Sequence, residues 1–122
     1  MKADDPQTYV IIGATLEVHR ELGCGFLEAV CQDTLEIELA ARNISFVREA
    51  CVAVYYKSKP LPSNYRVDFI CYENIPVELK ALSLMTGVEE AKMIHYLKAM
   101  RCKIGLLINF GAPSLDWRHF IN

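Results

Sequence analysis

The segment Asp68-Phe69-Ile70-Cys71-Tyr72-Glu73-Asn74-Ile75-Pro76-Val77-Glu78-Leu79-Lys80 reads as two short β-strands around a polar turn. Side chains alternate between the faces of a strand. Glu78 and Lys80 therefore share one face and Val77, Leu79 and Ala81 the other, while Arg66 and Asp68 oppose the apolar set Val67, Phe69 and Cys71. Tyr72, Glu73 and Asn74 supply a three-residue hairpin loop. With that loop Cys71 pairs with Ile75, Asp68 lies opposite Glu78, and Lys80 falls on the diagonal from Asp68. Directly opposed carboxylates bring their Cβ atoms to roughly 4.5–5.5 Å and repel one another. A divalent cation relieves that repulsion, and hard ions such as magnesium and manganese favour carboxylate and carbonyl oxygens. Asp68, Glu78 and the Leu79 backbone carbonyl are thus candidate metal ligands. The spacing alone fits equally well a wet hairpin face on which Lys80 pairs with solvated carboxylates.

Upstream of the hairpin, residues 45–57 read as a first strand, with Val52, Val54 and Tyr56 alternating against Cys51, Ala53 and Tyr55. Lys59-Pro60-Leu61-Pro62-Ser63 reads as the turn that follows it. Downstream, Thr86-Gly87-Val88-Glu89 has the form of a capping box and opens a helix to about Arg101, with Val88, Ala91, Ile94, Leu97 and the Arg101 stem laid on the sheet. Residues 104–110 form an apolar run of strand length, as expected of a buried interior strand.

Two helices are expected before the first strand. Val10, Ile11, Ala14, Val18 and Leu22 make a stripe over residues 9–22, which Gly23 terminates. After the Gly23-Cys24-Gly25 break, Leu27, Cys31, Leu35 and Leu39 recur at helical spacing to about Arg42, with Val30 and Ile37 widening the apolar face. Glu28 lies on the edge of that stripe, directed toward the core or a cleft. On its own, an acidic residue in a first helical turn is accounted for by the helix dipole, at about 0.3–1 kcal/mol.

At 122 residues and 52% hydrophobic content the chain is expected to form one domain with a continuous core. No apolar run reaches the roughly 18 residues of a membrane span, and the polar start lacks a signal-peptide pattern, so a cytoplasmic protein without membrane contact is expected. Five cysteines, at positions 24, 31, 51, 71 and 102, show neither a disulfide framework nor the paired spacing of a zinc site and are expected mostly as buried thiols. Cys31 in particular reads as a small core residue. A net charge of −2 argues against strong general attraction to nucleic acid. It leaves room for a local basic groove: Lys92, Lys98, Arg101 and Lys103 cluster, with Arg66 and Lys80 beside the hairpin site, while acidic residues concentrate over positions 33–49. A solvated helical face accounts for Lys98 and Arg101 equally well. Tyr55, Tyr56 and Tyr65 can stack on bases, although strand tyrosines more often pack, and His19 and His95 read as satisfied histidines beside the core.

The stretch Val18-His19-Arg20-Glu21-Leu22-Gly23-Cys24-Gly25-Phe26-Leu27-Glu28-Ala29-Val30-Cys31 resembles the defining segment of the GxxExxY protein family. Gly25 and Glu28 match it, whereas Cys31 stands where that family usually has tyrosine and Cys24 where it has proline. The resemblance continues through Tyr65-Arg66-Val67-Asp68, Val77-Glu78-Leu79-Lys80, Tyr96-Leu97-Lys98 and Gly105-Leu106-Leu107-Ile108-Asn109-Phe110. The family looks like a compact branch of the PD-(D/E)XK nuclease superfamily. It implies an α/β domain over residues 1–122 with a restriction-endonuclease-like core, a central mixed β-sheet flanked by helices and a third helix before the last strand.

The same resemblance implies hydrolysis of phosphodiester bonds in nucleic acid, DNA ahead of RNA, by a catalytic set of Glu28, Asp68, Glu78 and Lys80. Magnesium or manganese would be held by Asp68, Glu78 and the Leu79 carbonyl, with Glu28 contributing directly or through water. Lys80 would orient the nucleophile or stabilise phosphorane charge. Related branches often carry Gln-x-x-x-Tyr on the helix after the Glu-x-Lys strand. Lys92-Met93-Ile94-His95-Tyr96 occupies that position, so Lys92 and Tyr96, with Arg66, are expected to meet nucleic acid. A second reading, from another class, is a non-catalytic nucleic-acid-binding or assembly module on the same scaffold, its apolar surplus forming a homo-oligomer surface.

Overall fold

Asp5 opens the first helix, α1 (Pro6–Leu22): its side chain accepts from the Gln7 amide, and Pro6 occupies a first-turn position where a missing N–H is harmless. These are the first of the residues that the computed structural model describes, 5–122; residues 1–4 of the polar start lie outside that range. Gly23 closes α1, its amide bonded to the His19 carbonyl. The second helix, α2 (Glu28–Ala41), buries Cys31, Gln32, Leu35 and Leu39. Ile37 does not widen that face and is 71% exposed. It sits two residues from both Leu35 and Leu39, about 200° around a helix of 3.6 residues per turn.

The sheet has order β1-β2-β3-β4-β5, formed by β1 (Phe46–Tyr56), β2 (Lys59–Cys71), β3 (Ile75–Lys80), β4 (Ile104–Asn109) and β5 (Asp116–Ile121). All neighbours are antiparallel except β3 and β4, which the third helix, α3 (Gly87–Met100), connects as a parallel crossover. Lys59 to Ser63, read as a turn, belong to β2 instead. The turn is the two-residue Lys57–Ser58, both at positive φ (48° and 67°), a form whose twist suits a hairpin. Pro60 pairs with Tyr55, and Pro62 falls where the register shifts between Ala53 and Tyr55. Proline is tolerated there because this part of β2 has β1 as its only neighbour, leaving one edge without a ladder to donate to.

Both sheet faces are covered. Phe69, Cys71, Val77, Leu79, Leu106 and Ile108 form one core with α1 and α2. Ala50, Val52 and Val67 form a second with Met93, Tyr96 and Leu97 of α3. The β1–β2 ribbon passes between the two: Phe46 and Phe69 pack edge to face in the first core, while Ala50 and Val67, of the same strand parity, lie in the second. The intervening pair, Glu49 and Asp68, is the pivot.

The capping box at Thr86 and Glu89 forms as the sequence suggests, but α3 turns another face inward. Val88 and Ile94 are 73% and 45% exposed, and Ala91 is exposed as well. The rotation is set by Gly105, where a Cβ would stand 2.7 Å from Met93 Sδ and 2.9 Å from Leu97 Cδ2, so the missing side chain is the seat for these two residues. β5 carries no strong apolar alternation, and the last strand of the sequence reading was β4. It is held by pairing with β4 and by the Arg118–Glu90 ion pair to α3. No helix among the described residues is long and apolar enough to cross a membrane.

Fully buried Asn109 fixes the chain as it leaves β3. Its Oδ1 accepts from the Leu82 amide (2.8 Å) and the Gly111 amide (3.1 Å), and its Nδ2 donates to the Leu82 carbonyl (2.8 Å). At Gly111 a Cβ would lie 2.4 Å from the Leu82 backbone, so only glycine permits this approach. Replacing Asn109 by Ala leaves three part-buried backbone groups without their partner and is expected to cost about 2 kcal/mol, read from urea unfolding.

Candidate metal centre

The β2–β3 ladder runs Cys71↔Ile75, Ile70↔Pro76 and Phe69↔Val77, the register a three-residue loop requires. Beyond Phe69↔Val77, side chains replace backbone partners. The Asp68 amide donates to Glu78 Oε1 at 3.0 Å, and the Leu79 amide donates to Asp68 Oδ2 at 2.7 Å. Each carboxylate takes the place of a strand carbonyl, and the two lie side by side in the gap. A residue's N–H and C=O lie on the same edge of an extended strand. The Leu79 carbonyl therefore faces the same gap, while Lys80, whose carbonyl accepts from Phe110, faces β4.

The hairpin face, which the spacing alone equally allowed to be wet, is covered by α3, and Glu78 is only 7% exposed. Tyr96 was expected at a nucleic-acid surface. It is buried instead, 1% exposed, because its ring fills the second core and its hydroxyl meets Glu78 Oε2 at 3.4 Å and the Arg66 carbonyl at 3.3 Å. Its contribution is to hold Glu78. Arg66 is exposed but engaged with Glu49 at 3.6 Å. Lys92 is exposed, and its charge reaches Glu28.

Burial dominates the electrostatics. It pushes Glu78 up to about 7, with the Asp68 charge adding to the rise and Lys80 opposing it. Asp68 is raised too, by burial first, against the Leu79 amide and Lys80. Glu28, the first residue of α2, is raised by desolvation of its carboxyl, offset by Lys80 and Lys92 and reinforced by Asp68. Lys80 thus acts on Glu28, Asp68 and Glu78 alike, which brings the four expected residues into one electrostatic neighbourhood. Their proximity is graded: Asp68 and Glu78 touch through shared hydrogen bonds, while Glu28 couples through space. Among the described residues no three His, Cys, Asp or Glu side chains converge into a ready-made metal cluster.

One residue of this neighbourhood escaped the sequence reading. Glu49 sits across the ribbon from Asp68 with φ of 55°, a left-handed backbone inside a strand. Gln32 Nε2 donates to its Oε2 at 2.5 Å, and its charge contributes to the rise of Asp68. Gln32 lies one turn after Glu28 on α2, a helical spacing that was visible. A glutamate in left-handed conformation has no signature in composition or period.

An acid pair inside a split ladder, with a lysine two residues beyond on the same strand, is the arrangement the superfamily name encodes, and the model of that superfamily matches residues 5–120. The chain belongs to the PD-(D/E)XK nuclease superfamily. It has no significant match among curated proteins or among solved structures. Its mixed five-stranded sheet with three flanking helices agrees with the restriction-endonuclease-like α/β core. Superfamily nucleases generally use divalent metal ions, and the donor set here fits one. Two like-charged carboxylates share a part-buried gap with a carbonyl facing it, and a proton or a cation relieves their repulsion.

The upward shifts fix a sign. Between the ordinary carboxylate range and about pH 7 the folded protein binds more protons at this pair than the unfolded chain does, so stability falls as pH rises through that window. For Glu78 the loss is of order 2–3 kcal/mol. In chelator, the urea midpoint of the wild type is expected to drop more between pH 5 and pH 8 than that of Glu78→Gln, which is neutral throughout. Parallel pH profiles would show that the pair is not strained by its own charge.

Proposed function

We propose that this protein is a metal-dependent nuclease that hydrolyses phosphodiester bonds in nucleic acid. The observation that carries this reading is the Asp68–Glu78 pair, Glu78 buried and Asp68 half-buried, set into the split ladder beside Lys80. Asp68, Glu78 and the Leu79 carbonyl would hold magnesium or manganese, with Glu28 contributing directly or through water. When bound, the ion supplies Lewis-acid polarisation of the phosphodiester and lowers the pKa of water.

The chain's own residues supply the rest. Tyr96, through its hydroxyl, and the Asp68 amide hold Glu78 in one orientation, and the Leu79 amide does the same for Asp68. Lys80, two residues beyond Glu78, would orient the attacking water and offset charge building on the phosphate oxygens. Water adds to phosphorus, one P–O bond breaks, and the departing oxygen leaves with a proton. Glu28 and Lys92 at the N-terminal end of α2 and on α3 would frame the approach of the strand, with DNA as the first substrate to examine.

The alternative of a binding module without turnover draws on the exposed apolar residues Phe26, Leu27, Leu84 and Val88, which suit assembly. Incubation with single-stranded, duplex and branched DNA and with RNA, in magnesium or manganese and then in chelator, separates the two. Metal-dependent cleavage that falls at least about 100-fold in Lys80→Ala is expected. Unchanged substrate across the whole panel would leave the module. Independently, manganese at pH 8 is expected to raise the Tm of the wild type but not of Asp68→Asn or Glu78→Gln.

A further inference from the structure

Between the second half of α3 and the outer part of the β1–β2 ribbon lies a groove of about 400 Å³, lined by Val54, Tyr55, Tyr65, His95, Lys98 and Arg101 together with Ala99. A second hollow, also bordered by Tyr55 and Arg101, continues it to Lys57 and Ser58 at the ribbon tip. No acidic residue lines either.

The basic residues of this chain divide sharply. Among the described residues, five of the six arginines sit in ion pairs, whereas Arg101 and the six lysines sit in none. Lys98 and Arg101 therefore keep uncompensated charge on a concave surface, in a chain whose net charge is −2. Aromatic faces stand between these charges. Tyr55 is 61% exposed, and Tyr65 meets Tyr96 edge to face at 5.2 Å. The Tyr96 hydroxyl in turn reaches Glu78. The groove thus begins one ring away from the carboxylate pair, and Tyr65 precedes Asp68 by roughly 10 Å of extended strand.

We propose that this groove binds a single strand of nucleic acid, with phosphates on Lys98 and Arg101 and a base on Tyr55, and feeds it toward Asp68 and Glu78. Binding in the groove follows from the groove itself; only the strand's destination rests on the nuclease reading. A tyrosine face gains stacking energy from an unstacked base, which a duplex keeps inside its own stack. An acidic peptide would satisfy the two cations and leave Tyr55 without a partner.

Fluorescence anisotropy of a labelled oligothymidine, alone and annealed to oligoadenine, in chelator, tests this without cleavage. The wild type is expected to bind the single strand at least about tenfold tighter than the duplex. Tyr55→Ala should weaken single-strand binding about fivefold or more, with Tyr55→Phe retaining it. The double variant Lys98→Ala, Arg101→Ala should lower the slope of log affinity against log salt by about 1.4. All three variants should keep the manganese-induced rise in Tm. Wild-type affinity in the groove variants, equal affinity for duplex, or displacement of the strand by polyglutamate at matched charge would overturn the groove proposal and leave the metal centre standing. Intact groove binding with no metal-induced shift and no cleavage would defeat the nuclease reading alone.

Discussion

Two carboxylates of like charge sit together inside a β-ladder, Glu78 buried and Asp68 half-buried, and much of the fold holds them there. Asp68 and Glu78 each accept a backbone amide that a strand carbonyl would otherwise take, so neither can leave without orphaning a part-buried N–H. The cost is electrostatic. Glu78, 7% exposed, is driven up to about 7, and an isolated sheet would expel such a pair or protonate it. Lys80 relieves part of the repulsion, and a divalent ion, where one is bound, would relieve the remainder.

The surroundings act by over-determining this gap. The β1–β2 ribbon passes from one core to the other at Glu49 and Asp68, and the left-handed backbone of Glu49 marks the switch. Gln32 ties that point to α2, one turn beyond Glu28, so the helix and strand contributions are coupled mechanically as well as by charge. On the other face Tyr96 closes the gap from α3, whose rotation is set by the seat at Gly105. Asn109 and Gly111 then hold the chain immediately beyond Lys80. Strain of this kind persists only where packing outweighs it.

The hairpin was legible because its signals are local. Alternation placed Asp68 and Glu78 opposite Val77 and Leu79, and three polar residues fixed the loop, so the register followed from counting. The α1 stop at Gly23 and the Thr86 capping box are likewise written within a few residues. What failed was orientation against partners distant in sequence. Ile94 and Val88 looked as apolar as Met93 and Leu97, and a hole in a strand that follows α3 decided between them. Tyr96 looked like a surface ligand until α3 turned it inward. Pro60 and Pro62 signalled a turn, although a strand paired on one edge admits both.

By itself the sequence determined the element order up to β4, the pairing register around the loop and the placement of Asp68 opposite Glu78 with Lys80 two residues on, because alternation, turn chemistry and spacing act over a dozen residues or fewer. Tertiary structure alone decided that Glu78 is buried, that Tyr96 supports it, that Glu49 joins the neighbourhood and that β5 completes the sheet. Each of these depends on which surface arrives from a remote segment, and desolvation, the largest force on the site, is a property of the assembled molecule and of no stretch of chain within it.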